Sequence, residues 1–189
     1  MRSISKAVLS FAAVLPGIVS AALIPNADTP VFYLVGADPV GDTFKPLRLT
    51  GQHLTATLTG EGPIAMIYII NGTFVAEDPV KGSTSPFLYH PYVDFSIPGS
   101  SDCGTSGPLK FIQDPNRNSV ASNPCAAFSN FFLFSDRMDN QLGAKLVLNS
   151  NLTSFYACGN ARDIVYKVNV TDEPVDCFTP VQLYTLPVV

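Results

Sequence analysis

Apolar residues in this chain recur at every second position over short stretches, and Gly, Pro, Asn and Asp break those stretches apart. The windows VFYLV (31–35), LRLT (47–50), HLTATL (53–58), IAMIYII (64–70), TFVA (73–76) and PFLYH (86–90) carry this signature. So do LKFI (109–112), FFLF (131–134), KLVLN (145–149), DIVYKVNV (163–170) and VQLYTL (181–186). All are rich in the β-branched and aromatic types that suit a pleated, half-buried surface. No window sustains the 3.6-residue apolar period of an amphipathic helix, and 16 prolines work against long helices. The pattern predicts an all-β fold, a sandwich or barrel of about ten short, mostly antiparallel strands.

Two windows predict more than a strand. IAMIYII-NG-TFVAED (64–78) places Asn71-Gly72 between two apolar runs. That pair marks a type I′ hairpin, whose two central residues both need positive φ. In DIVYKVNV, Ile164, Tyr166, Val168 and Val170 share one face, and Val165, Lys167 and Asn169 the other. This reads as a half-buried strand with Asn169 on its wet side. The stretch 96–125, dense in Ser, Gly, Pro and Asn, has Cys103 and Cys125 near its ends and reads as a stapled surface excursion rather than a linker.

The N-terminus changes the picture. Arg2 and Lys6 precede an apolar run from Ala7 to Val19, broken by Ser10, Pro16 and Gly17, and Val19-Ser20-Ala21 offers small residues for cleavage. Residues 1–21 read as a secretory signal peptide, leaving 22–189 as a single all-β domain. Cleavage takes Arg2 and Lys6 away, so 11 basic residues become 9 against 15 acidic ones. That acidic balance argues against nucleic acid as a partner, and no later apolar run has the length of a membrane span.

An exported chain gives its cysteines a meaning. Cys103, Cys125, Cys158 and Cys177 are an even set, read as two disulfides. Three pairings are open, and the sequential one would close two loops of similar size, each worth about 3 kcal/mol in the chain-entropy account. A four-thiolate metal site would want C-x-x-C spacing, which is absent. Asn71-Gly72-Thr73, Asn151-Leu152-Thr153 and Asn169-Val170-Thr171 are three glycan acceptor triplets, so Asn71, Asn151 and Asn169 read as glycosylation sites on a eukaryotic secretory route.

Catalytic chemistry is hard to find. Of the two histidines, His53 falls on the polar face of its window, and His90 lies in PFLYHPYVDF with Tyr89, Tyr92 and Asp94, at an expected His90-Pro91 turn. Gly99-Ser100-Ser101-Asp102-Cys103 fails the G-x-S-x-G pattern at its last position, and H-E-x-x-H is absent. Glu61, Glu77 and Glu173 sit beside turn signals, with no spacing that would mark a glycosidase pair. No catalytic residue, metal ligand or cofactor motif is assigned. Tyr89 and Tyr92 are the candidate ligand contacts, because extracellular β-domains stack sugar rings on aromatic faces.

AMIYIINGTF (65–74) resembles the "FYI-x-DG-x-L" hairpin of the PhiA-type secreted cell-wall proteins of filamentous fungi. FYAC, a strand, DC and a closing strand (155–186) are similar to that family's C-terminal "ACP…V-x-V…DC" arrangement. Gly159 stands where the family tends to have proline, and the family's tryptophan-bearing segment has no counterpart in a chain without Trp. The resemblance implies a Cys158–Cys177 disulfide, leaving Cys103 with Cys125, and nothing catalytic. It further implies a non-enzymatic protein of the fungal wall or surface, linked to spore or surface development, with wall polysaccharide or another surface protein as partner. The other readings are a secreted carbohydrate-binding or host-directed effector protein, then a polysaccharide-active enzyme.

Overall fold

The computed structural model describes residues 24–37, 43–51, 54–77, 88–113, 123–128, 131–135, 143–148, 155–174, 177 and 179–188. The signal segment, His53 and Asn151 lie outside these residues. Fourteen strands and no helix occur among the described residues. In chain order they are β1 (Phe32–Ala37), β2 (Phe44–Pro46), β3 (Arg48–Thr50), β4 (Thr55–Thr57) and β5 (Ile67–Ile70). There follow β6 (Thr73–Ala76), β7 (Tyr89–Asp94), β8 (Ser106–Gln113), β9 (Ala126–Ala127) and β10 (Phe131–Phe134). The last four are β11 (Lys145–Leu148), β12 (Phe155–Cys158), β13 (Asp163–Lys167) and β14 (Leu183–Pro187).

The strands form one sheet in the order β10-β11-β14-β1-β5-β6-β7-β8-β13-β4-β3, and every pairing between them is antiparallel. The far end returns to the middle. The segment 44–50 pairs with β1 through β2 and with β4 through β3, and between them the Leu47 N–H donates to the Leu34 carbonyl at 2.7 Å. This closes a circuit that covers the β3 end of the order, while β10, paired only with β11 among the described residues, stays at the other end. A second tie comes from 179–181, which pairs with β12 (Val181 N–H to Phe155 O, 2.9 Å) before continuing into β14. The all-β reading, with sandwich and barrel both in view, matches this architecture.

Alternation dictates which side chains go inside. Leu109 and Phe111 of β8, Phe155 and Ala157 of β12, and Ile164 and Tyr166 of β13 point into one core shared by nearly every strand. Phe74 lies between Phe32 and Phe131 there, tilted against the first at 6.1 Å and stacked on the second at 6.2 Å between centroids. The Asn71-Gly72 turn has φ of 50° and 70°, as the type I′ hairpin requires, and it sets the register Ile70↔Thr73.

Two expectations differ from the structure. His90 and Pro91 do not form a turn; both lie within β7. Pro91 is tolerated because Phe111 opposite it donates its N–H to Leu54, not to β7, so this is a position where β7 and β8 exchange no hydrogen bond. The nitrogen of Pro91 therefore faces the other edge, between the β6 contact at Tyr89 and the β9 contact at Val93. The second difference is β13. It ends at Lys167, Val168 and Val170 are exposed, and the face carrying Val165 and Lys167 is buried rather than wet. The chain after β13 folds back over that face and covers it.

Gly107 on β8 is where β7 and β8 approach closely: a Cβ built there would stand 2.0 Å from the Asp94 carbonyl oxygen. Backbone, not a flexible side chain, would have to move. Gly107→Ala should therefore lower unfolding free energy by about 1–3 kcal/mol, the usual cost of overpacking, as measured by urea titration. An unchanged midpoint would contradict the close approach.

Candidate functional site

Where β8 and β13 leave the barrel, two loops rise on either side of their ends and enclose an open groove of about 650 Å³. The floor is Ser106, Gly107 and Pro108 of β8 with Val165 of β13, held in register as Val165↔Pro108 and Lys167↔Ser106. One wall is Asp94, Ser96, Ile97 and Pro98 with Gly104 and Thr105; the other is Thr171 to Pro174.

The first wall is built by charge and by a disulfide. The Asp94 carboxylate accepts from Lys110 Nζ at 2.7 Å, from the Ser96 hydroxyl at 2.6 Å and from the Ser96 N–H at 3.2 Å. Asn123 donates to the Ser96 hydroxyl at 2.8 Å. Next to it, Cys125 is bonded to Cys103, with Cα atoms 5.1 Å apart, and its carbonyl accepts from Phe95. The excursion from 96 onward is thereby fastened back to β7.

The second wall is built around a buried cation. Lys167, the last residue of β13, is only 1 % exposed. Its ammonium donates to three backbone carbonyls, Asp172 at 2.9 Å, Pro174 at 2.7 Å and Cys177 at 2.5 Å, and lies 5.1 Å from the Tyr156 ring centroid. An ammonium has three protons and no acceptor, so three converging carbonyls satisfy it completely. Residues 168–174 wrap round this charge, and Cys177 beyond them is bonded to Cys158, Cα atoms 5.0 Å apart. Asp172 adds a cap, accepting the Asn169 N–H at 2.7 Å, and it also takes a hydrogen bond from the Thr105 side chain, which links the two walls.

Electrostatics sort the acidic groups. For Asp94, burial alone would raise the carboxyl pKa, but hydrogen bonds from Lys110 and Ser96 outweigh it and hold the group below its ordinary value. The N–H of Asn169 chiefly does the same for Asp172. Both are anions at neutral pH. Glu77 and Asp163 are pushed up by burial instead, yet neither lines the groove. Retaining or inverting glycoside hydrolysis needs a raised carboxylic acid facing a carboxylate. Asp94 and Asp172 are both shifted away from that acid's requirement. Among the described residues no group of three His, Cys, Asp or Glu side chains is placed to hold a metal.

The aromatic cluster lies elsewhere. Tyr92 is 5 % exposed, and its ring stacks on Phe128 with centroids 5.1 Å apart. Tyr89 packs against the core from the opposite face of β7. The two rings point to opposite sides of one strand, so no continuous stacking platform joins them. Phe128 and His90 line a smaller cleft of about 190 Å³ beside the Gly72 hairpin tip. No protein-family model, curated protein or solved structure matches this chain.

Lys167 was not readable as a key residue, because one lysine on an alternating strand looks like any solvated one. The available signal lay in the next ten residues, a turn-rich run ending in a cysteine, which in the structure returns to Lys167 and Cys158.

Lys167→Met keeps the stem and removes the charge, leaving three buried carbonyls without donors. Unfolding free energy should fall by about 3–5 kcal/mol, and Lys167→Arg should not restore it, since a planar fork cannot reach three converging acceptors. Guanidinium titration of both variants measures this; a loss under about 1 kcal/mol would show that the cage contributes little. The pH dependence has a definite sign. The folded pKa of Asp94 lies below its unfolded value near about 3.9, so its contribution is fully present above that value. It is lost as pH falls through the folded pKa. Asp94→Asn should flatten the stability curve below about pH 4, read by urea titration at a series of acid pH values.

Proposed function

We propose that this is a secreted, glycosylated, non-enzymatic protein of the fungal cell wall or surface, one that acts through contact with wall polysaccharide or with another surface protein. Two disulfides in a small all-β fold fit a secreted, disulfide-stabilised protein. No described helix is long and apolar enough to cross a membrane. The PhiA-type resemblance of 65–74 and 155–186 supports the wall assignment and a link to spore or surface development.

The observation that carries the non-catalytic part is the groove. Its walls are fixed by two disulfides and a caged lysine, and of its three carboxylates, Asp94, Asp172 and Glu173, the two aspartates are both held toward the ionised form. That arrangement offers anions and hydroxyls to a ligand, but no proton to a leaving group from either aspartate. Asn71 at the hairpin tip and Asn169 at the bend after β13 are exposed, which suits attached glycans. The residues beside the tip are small or exposed as well, with Thr73 facing solvent.

Tagged protein expressed in a filamentous fungus, followed by fractionation into wall and medium, tests the assignment. Recovery in the wall fraction is expected, and recovery only from medium would favour the effector reading. Glycopeptide mass spectrometry of the same material should find Asn71 occupied. A bare Asn71 would contradict the exposed tip as an acceptor.

A further inference from the structure

Side chains that pack inward fix where their neighbours on the same strand point. Phe131 and Leu133 of β10, Leu146 and Leu148 of β11 and Leu183 of β14 all pack into or against the core. Phe132, Phe134, Lys145, Tyr184 and Leu186 therefore stand on the outer face of the sheet. Register sets Phe134, Lys145 and Tyr184 side by side across three neighbouring strands. The Phe44 ring of β2 meets Tyr184 edge-on at 6.5 Å. Phe44, Phe132 and Phe134 are 51, 52 and 49 % exposed, and Leu186 is 42 % exposed. In a chain of net charge −4, the strands β2, β10, β11 and β14 contain no Asp or Glu.

We propose that this aromatic face binds a neutral, extended polysaccharide, an inference that rests on the contact role just proposed. Phe132 and Phe134 form one platform, and Phe44 braced against Tyr184 forms the other. Phe134 and Tyr184 lie two strands apart, about 10 Å, so separate sugar rings of one chain each lay a C–H face on one platform. Lys145 stands between the platforms in the same row, and an ammonium donates to sugar hydroxyls. The competing occupant is a second copy of this chain. Half of roughly 200 Å² from each of the four exposed side chains comes to about 400 Å². A stable dimer needs about 800 Å² from each partner, with charge depleted at its centre, where this face has Lys145. Without a carboxylate the face offers nothing to a polymer of ammonium groups, and the net charge of −4 opposes a polyanion. A neutral chain fits both constraints.

Calorimetric titration of the secreted, disulfide-intact protein with cello- and laminari-oligosaccharides tests this, beside polygalacturonate, glucosamine oligomers and phosphatidylcholine vesicles. At least one neutral series should bind, more tightly as the chain lengthens to span both platforms, and added salt should change little. Phe134→Ala and Phe44→Ala should each weaken binding about tenfold, the worth of roughly one stacked ring. Phe134→Tyr keeps the ring and should bind as the unaltered protein does, and Ile97→Ala, in the groove, should have no effect. The proposal is overturned by no binding of either neutral series, or by undiminished binding once Phe44 and Phe134 are both replaced. Tighter binding of polygalacturonate, glucosamine or vesicles overturns it too. A dimer in sedimentation that the same two substitutions dissociate would assign the face to a second copy instead. The ligand comparison and the length series use unaltered protein, so a variant that fails to fold does not blunt them. Wall retention that survives loss of both rings would sink this inference and leave the wall assignment standing. Ring-dependent glucan binding by a protein found only in medium would do the reverse.

Discussion

A buried ammonium must find three acceptors or the chain around it will not close. Lys167 finds them in the carbonyls of Asp172, Pro174 and Cys177. Taking such a charge out of water costs several kcal/mol, and the cost is offset only when its remaining protons are all bonded. The consequence is geometric. Residues 167–174 have to curve so that the oxygens of Asp172 and Pro174 converge with that of Cys177 on one point, and that curve carries Thr171 to Pro174 into position beside β8. The Cys158–Cys177 bond then fixes the end of the curve to β12, next to the strand from which Lys167 projects. Lysine, disulfide and groove wall form one unit.

The barrel supplies the fixed end of that unit. β13 pairs with β12 on one side and with β8 and β4 on the other, and Ile164 and Tyr166 anchor it in the core. Phe95 and Phe155 meet the Tyr166 ring edge-on at 5.9 Å each. Phe95 thus ties the first wall to β13, and its carbonyl accepts the Gly104 N–H within that wall. Packing beneath the groove and hydrogen bonding above it use the same few residues.

Much of the fold was legible in the alternation. The Asn71-Gly72 hairpin and the inward face of Ile164 and Tyr166 on β13 follow from periodicities and turn chemistry that need only local information. The stretch 96–125 is stapled but is no mere surface excursion, since Ser106–Gln113 within it forms β8 in the middle of the sheet. What could not be read was long-range. Nothing local says that 44–50 serves two neighbours at once, or that a proline at 91 falls in the gap between β6 and β9. The tyrosines show the limit for sites. Their density marked 87–95 as important, but periodicity places Tyr89 and Tyr92 on opposite faces without saying that Phe128 covers the second. The groove was harder still, because its walls come from two segments far apart in the chain, 94–98 and 171–174, and no spacing rule joins them.

The two walls also differ in what holds them against acid. Asp94 and Asp172 secure their loops as carboxylates, and protonation removes the charge that Lys110, Ser96 and the Asn169 N–H recognise. The cage round Lys167 has only backbone carbonyls as acceptors, and these do not titrate. Falling pH therefore loosens the 94–98 wall and the cap at Asn169 while the Lys167 carbonyl bonds and the disulfide still hold the second wall to β12 and β13.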